Sequence, residues 1–430
     1  MTQILHITTH MGGGVGKVLS GLLLYWKTYG ESLHGLVLLE PPEKQQFIKL
    51  CEEQGISVLV APPRDVLREA IMQADVVELE WWHHPVMARL LLESLAMPMR
   101  LVIWSHISGC SYPWIPSAFL SVPYKFIFTS AYSYENPYWR VEECKWAQNH
   151  VAMINSSGGF SDAEPKHVPH KGFCAGYVGT LSYAKLHPDF TAYCSAADSA
   201  VPNIAFRLVG DAENAPNIQN DAAPFHIADK FSFVGYTEDV MAEFAKMDIF
   251  TYLLNPTHFG TTENVLLEAM NAELPVIALN QCAEKFLIRD RETGLLVRNQ
   301  TEFAEAVRYL YEHPEERRRL GKNARAYVRS HFLVKHTAGK LNDVYRDVLQ
   351  MPKRTIDFSP IGKSPQEMFL RFLPPALAKQ FAENHGGARF AGWPEILCGQ
   401  NKSSLHQFAR KFPEVQEFHD WILQMKEANR

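Results

Sequence analysis

Short apolar runs alternate along the chain with stretches of helical periodicity. In the first part the runs are Ile4 to Thr8, Gly35 to Leu39, Ser57 to Val60, Val76 to Leu79, Leu101 to Trp104, Phe126 to Thr129 and Val151 to Ile154. A Pro/Gly/His-rich stretch, Pro165 to Gly172, follows. Then a second series opens: Gly176 to Val178, Ala205 to Val209, Phe231 to Val234, Ile249 to Leu254, Val276 to Leu279 and Leu295 to Val297. Apolar runs separated by helical segments predict parallel strands joined by crossover helices, because strands covered on both faces lose the apolar/polar alternation of half-exposed ones. The expectation is an α/β protein with two doubly wound domains, residues 1–165 and 172–335. Ligands of such sheets sit at the carboxyl ends of the strands, which predicts a site in a cleft between the domains. Residues 336–351 are expected to be a crossover helix. Beyond Met351 the pattern changes, with helices expected over Phe369 to Ala382 and Leu405 to Lys426. Residues 352–430 carry Phe369, Phe372, Phe381, Phe390, Trp393, Phe408, Phe412, Phe418 and Trp421, too aromatic for a disordered tail. This extension is expected to pack on the body or to mediate subunit contact in an oligomer.

Composition narrows the class. The 430 residues exceed what one hydrophobic core usually serves, and the 47% hydrophobic content is ordinary for a globular protein. A formal charge of -5 gives no pull toward nucleic acid or an anionic membrane. The basic stretch Glu315 to Phe332 lacks interleaved aromatics and reads as a solvated helix face. Seven cysteines without CxxC spacing argue against a disulfide framework or a zinc site and suit a reducing cytoplasm. No run of about 18 apolar residues is present, so no spanning segment is expected. A cytoplasmic location follows, with a peripheral membrane position as the alternative.

Three segments carry candidate chemistry. The first is Asn255 to Ala278, NPTHFGTTENVLLEAMNAELPVIA, read as a loop feeding a helix that begins after Gly260. Free N–H groups and the positive end of the dipole make a helix start a receptor for phosphate. At about 100° per residue Thr261, Asn264 and Glu268 share one stripe, with Leu266, Leu267 and Met270 opposite. Glu263 either folds back onto the cap, as in a capping box, or reaches a ligand. The second is His10-Met-Gly-Gly-Gly-Val-Gly-Lys17 after the first strand. It is not a P-loop, since Met11 and Val18 stand where Gly and Ser/Thr are required, and its glycines lack the GxGxxG spacing. It is a ligand-approaching loop around Gly13 and Gly14 or simply a tight turn. The third is Trp104-Ser105-His106, which puts a histidine at a strand's carboxyl end. Trp81, Trp82, His83 and His84 follow another strand and are candidates for an acceptor groove. The HHP run has no third ligand at metal spacing.

The segment HFGTTENVLLEAMNAELPVIA resembles the donor site of the retaining GT-B glycosyltransferases, the superfamily of glycogen, sucrose and lipopolysaccharide-type transferases, and the resemblance runs over roughly residues 1–350. It implies two facing Rossmann-like domains, with residues 352–430 as an unassigned helical extension. In that family two glutamates are separated by seven intervening residues. Glu268 matches the second, which contacts the ribose, while Gly260 stands where the sugar-contacting first would be. Gly176 to Phe190 resembles the segment whose Arg and Lys neutralise the diphosphate. Lys185 fits the Lys, and Thr180 replaces the Arg. RLVGD (to Gly210 and Asp211) and SFVGY (to Tyr236) resemble the strand ends framing the nucleoside base. The glycine loop, through Gly13 and Gly14, implies contact with donor phosphates and acceptor, and His106 implies contact with the donor sugar or its phosphate.

The resulting expectation is a glycosyltransferase, hexosyltransferase-type, acting in polysaccharide or glycoconjugate biosynthesis. It moves a sugar from a nucleoside diphosphate such as UDP to a hydroxyl of a sugar, lipid-linked glycan or protein, with retention. No Asp-x-Asp pair is present for a divalent ion, so no metal and no cofactor are expected. Lys185 and the helix amides near Thr261, Thr262 and Asn264 must then meet the leaving-group charge. Lys185, Glu268 and His106 are the expected reactive trio. A sugar-nucleotide epimerase on the same fold and a silent glycan- or nucleotide-binding scaffold are the alternatives.

Overall fold

The computed structural model describes residues 1–42, 45–93, 97–139, 150–258, 260–383 and 403–428. Phe390 and Trp393 of the extension, together with Cys144 and Cys398, lie outside them. Two compact units emerge. Unit 1 comprises Met1–Gly159, Phe259–Thr262 and Val334–Arg430, and unit 2 comprises Phe160–His258 and Glu263–Leu333.

Unit 1 is built on a seven-stranded parallel sheet of β1 (Gln3–Thr8), β2 (Leu33–Leu38), β3 (Val58–Val60), β4 (Val76–Trp81), β6 (Leu101–Ser105), β7 (Lys125–Phe128) and β8 (Val151–Met153), in the order β3-β2-β1-β4-β6-β7-β8. Chain direction across the sheet reverses between β1 and β4, the place where such sheets open a crevice. Both faces are covered. One packs on the helices Gly13–Tyr29 and Val334–Leu349 through Ile4, Val76, Val102 and Trp104; the other, with Leu5, Val77, Leu79 and Ile103, packs on the extension. The residues alternate because side chains of a strand alternate between faces.

The extension is part of unit 1's core. Phe369, Phe372, Phe381, Phe408, Phe412 and Phe418 are all at most 2% exposed. Two helices were expected there; among the described residues four are seen, Pro365–Arg371, Pro375–Glu383, Leu405–Lys411 and Gln416–Ala428. Pro374 and Pro413 interrupt the helical pattern at the two breaks, since proline cannot donate to the preceding turn. Ser364 caps the first of these helices by accepting from Glu367 N, with Pro365 at the first helical position, while the Glu367 carboxylate accepts from the N–H of Lys363, the residue before the cap, at 2.9 Å. A two-stranded antiparallel ribbon of β5 (Pro98–Met99) with β15 (Arg354–Thr355) was not foreseen, being too short for a periodicity signal. It pins the segment that follows Met351 to the first sheet's unit.

Unit 2 holds a six-stranded parallel sheet: β9 (Phe173–Val178), β10 (Ile204–Val209), β11 (Phe231–Gly235), β12 (Ile249–Tyr252), β13 (Val276–Leu279) and β14 (Leu295–Val297), ordered β11-β10-β9-β12-β13-β14. Its reversal lies between β9 and β12. The basic helix Pro314–His331 has Glu315 and Glu316 in its first turn and Arg329 and His331 in its last, matching the dipole. Its inner face is packed rather than solvated: Leu320, Gly321, Ala324 and Val328 are buried. A Cβ on Gly321 would fall 1.9 Å from Glu273 O, so glycine permits the close helix approach. Arg325 is buried too and donates to Asn271 O at 2.7 Å. No helix among the described residues is long and apolar enough to cross a membrane.

Candidate sugar-nucleotide site

In unit 2 the candidate residues gather at the carboxyl ends of β9 and of β10 and β11 beside it. β9 runs on into Gly179 and Thr180, β10 into Gly210 and Asp211, and β11, from its last residue Gly235, into Tyr236. These ends are locked together: Gly179 N donates to Val209 O at 2.9 Å, and Gly210 N to Gly235 O at 3.0 Å. A Cβ on Gly210 would sit 1.9 Å from Gly179 O, and its φ of +153° lies where side chains are strained. Asp211 caps a short 3-10 turn by accepting from Glu213 N, and Tyr236 is 57% exposed. Thr180 is exposed, and its carbonyl accepts from the Tyr177 hydroxyl at 3.0 Å.

Lys185 follows β9 in a loop stapled to the end of β12, where Asn255 N donates to Lys185 O at 2.8 Å. Its Nζ lies 2.6 Å from Glu263 Oε2 and 5.7 Å from the Tyr252 ring centre, and the Tyr252 hydroxyl donates to the same carboxylate. Burial would raise the Glu263 pKa, but Lys185 and a protonated His258 overcome it and hold it at about 2. Burial would likewise deprotonate His258, yet Glu284 on one side and Glu263 on the other push it up to about 10. Glu263 thus neither folds back on the helix nor stays free. Among the described contacts it is the anionic seat of Lys185.

The helix expected from Thr261 begins three residues later, at Asn264–Asn271, with Glu263 as the cap residue. The physical reason is competition for the threonines. Thr261 Oγ1 is 2.7 Å from Thr129 Oγ1, and Thr262 Oγ1 donates to Thr129 O at 2.9 Å, so both are tied into unit 1. The stripe that joined Thr261 to Asn264 and Glu268 is therefore broken. Asn264 and Glu268, one turn apart on the helix, remain on one side. Asn264 Oδ1 is buried without a donor, and Glu268 is half-buried.

In unit 1, Gly13 and Gly14 open the helix Gly13–Tyr29, Gly13 having a φ of +60°. They line a cavity of about 230 Å³ together with His10, Trp82 and His106. Trp81 and His83, expected at an acceptor groove, are instead buried among Phe119, Phe372 and Phe408. Side chains that alternate about a strand end put Trp82 on the cavity and its neighbours in the core. His106 Nε2 lies 2.6 Å from Glu80 Oε2. Behind that contact, His6 Nδ1 is 3.0 Å from Glu80 and 3.4 Å from Glu78, all three fully buried. Sequence reading passed over Glu78 and Glu80. The available signal was two carboxylates two residues apart in a strand of a sheet covered on both faces, where a charge must have a partner.

Donor atoms of His10, Glu40 and His84 also fall within 4.8 Å of one another, a cluster that local HHP spacing could not reveal. Glu40 is already paired to Lys411 Nζ at 2.7 Å. His258, Cys282 and Glu284 form a second such group, all three buried.

Residues 161–327 match the family model "Glycosyl transferases group 1". Over that span the chain is similar to the group 1 glycosyl transferases. The match covers the whole of unit 2's strand set, including Lys185, Glu263 and Glu268. Among curated relatives, N-acetyl-alpha-D-glucosaminyl L-malate synthase of Bacillus anthracis is 30% identical over 148 residues, 34% of this chain and 38% of that protein. Trehalose synthase of Pyrococcus horikoshii is 43% identical over 76 residues, 18% of each chain. The chain thus spans less than half the length of either. HepE of Anabaena, solved in complex with UDP and glucose, superposes with a TM-score of 0.61 at 17% identity, covering 81% of this chain and 100% of that one. The architecture is the GT-B fold.

Proposed function

We propose that this protein is a glycosyltransferase that transfers a sugar from a nucleoside diphosphate to a hydroxyl acceptor, with retention and without a divalent metal. One observation carries the reading. A lysine, Lys185, and the first turn of the helix Asn264–Asn271 meet at the carboxyl ends of the strands beside the sheet reversal, inside the matched span. A diphosphate placed there gains a cation and oriented backbone N–H groups as its charge develops, which is where rate enhancement by fixed dipoles is largest. Glu268, a turn into the same helix, is placed to accept from ribose hydroxyls, and the ends of β10 and β11 at Gly210, Asp211 and Tyr236 frame a base. Metal independence is supported by the cationic character of this seat and by the lack of an Asp-x-Asp pair. Retention and the hexosyl class rest on the likeness of the donor segment to retaining relatives.

The test is incubation with UDP-, GDP- and ADP-sugars, following diphosphate release and the anomeric configuration of the product, with and without EDTA. The expected result is release that survives chelation. Activity abolished by EDTA overturns the metal-free reading, and an inverted product overturns retention. Tight nucleotide binding without turnover would assign a scaffold instead, a reading that Gly260 and Thr180, in place of the family's carboxylate and arginine, make specific.

A further inference from the structure

The buried cluster behind His106 has no part in the function proposed above, and a sugar-binding surface has no need of four titratable groups beneath it. Glu78 and Glu80 point to the same face of β4, and His6 stands opposite Glu78 in the register of β1 with β4. Helices Gly13–Tyr29 and Val334–Leu349 seal that face, with Trp26 and Tyr345 packed over His6 and His34. The charges divide unequally. Burial and the neighbouring Glu80 push Glu78 above the usual carboxylate range, whereas burial of Glu80 is outweighed by His106 and His6, which hold it well below that range. Glu80 is therefore the ionised member, with one oxygen 3.0 Å from His6 Nδ1 and the other 2.6 Å from His106 Nε2.

An ionised carboxylate only accepts hydrogen bonds. At 2.6 Å inside a sealed face, His106 Nε2 must carry its hydrogen; the other tautomer would set a lone pair against a full negative charge. We infer that Glu80 is a positioning residue, which fixes His106 as the Nε2–H tautomer and leaves Nδ1 as the ring nitrogen available to the cavity shared with Gly13, Gly14 and Trp82. This rests on the proposed function for its meaning, because a neutral Nδ1 is an acceptor. It pairs with a sugar hydroxyl, which brings a proton, and not with a phosphate oxygen, which brings none. The arrangement is that of a histidine oriented from behind by an acid, with the acid remote from ligand.

The experiment is long-range ¹H–¹⁵N correlation on the full chain labelled with ¹⁵N-histidine, recorded over a pH series, with the His106 signal assigned by loss in His106→Asn. The expected pattern is a pure Nε2–H tautomer in the wild type, a mixture in Glu80→Gln, and recovery in Glu80→Asp. With a competent sugar nucleotide, Glu80→Gln should lower kcat/KM about tenfold, the scale of one lost hydrogen bond. In the His106→Asn background the same change should do little more, because the two residues act as a unit. A wild-type Nδ1–H tautomer overturns the inference, as does a full additional loss in the double variant. Should Glu80→Gln fail to fold, the wild-type tautomer still decides. The spectrum needs no substrate, so a correct tautomer in a protein that turns over no sugar nucleotide sinks the proposed function and leaves the positioning role standing.

Discussion

Lys185 is balanced between two anions, one present and one expected. Glu263 holds its ammonium at 2.6 Å in the protein itself, so a diphosphate must share or take over that cation. Removing it should hurt the transition state more than the ground state, because leaving-group charge grows along the reaction. Lys185→Ala is expected to lower kcat about 10²-fold, the usual cost of losing one charge-stabilising donor. Glu268→Ala should instead raise the KM for the donor about tenfold, with kcat less affected, since ribose contacts are made equally in ground and transition states. Steady-state kinetics on both variants check the split, and a Lys185→Ala enzyme that matches wild type would place the leaving group elsewhere. At this scale the sequence was only partly legible. Lys185 and Glu268 announce themselves through local motif spacing. Glu263 did not, because its partners Lys185, Tyr252 and His258 come from three separate segments, and no local spacing encodes their convergence.

Elements were far more legible. All thirteen strands of the two large sheets fall where apolar runs predicted them, within a few residues at the ends, because burial on both faces leaves an unmistakable composition. Helix starts were less so: whether Thr261 enters a helix depends on Thr129, far away in sequence, which claims its hydroxyl. The same holds for β5 and β15, whose pairing is purely tertiary. Strand ends impose the strictest local demand. Gly210→Ala would drive a methyl into Gly179 O and also strain φ, so the three framing loops would have to separate. A loss of about 2 kcal/mol or more is expected, within the range of strained-backbone substitutions, together with weaker nucleotide binding. Urea unfolding and a nucleoside-diphosphate thermal-shift series read the two effects; an unchanged midpoint would mean that the loops yield to the added methyl.

For the whole molecule, buried histidines of opposite habit set a pH window. His6 and His258 are raised from 6.5 to about 9 and about 10, so their contribution is complete below pH 6.5 and is lost as pH rises through those values. His34 and His83 are driven the other way by burial, to about 2 and about 3, so below pH 6.5 the unfolded chain takes up protons that the folded chain refuses. Stability should peak near pH 6.5 and fall on both sides. Thermal melts from pH 5 to 10 test this, and a melting temperature rising steadily to pH 9 would contradict the charged state of His6 and His258. Composition foretold none of this, since a count of histidines is blind to which ones face carboxylates. One feature of unit 1 reaches into how the protein is made. Its sheet is translated first, yet part of the cover on each face of that sheet, from Ala338, Leu341 and Val344 on one to Phe369 and Phe408 on the other, emerges only after all of unit 2. On the ribosome the later-synthesised domain can finish folding while the earlier one still waits for the last of its cover.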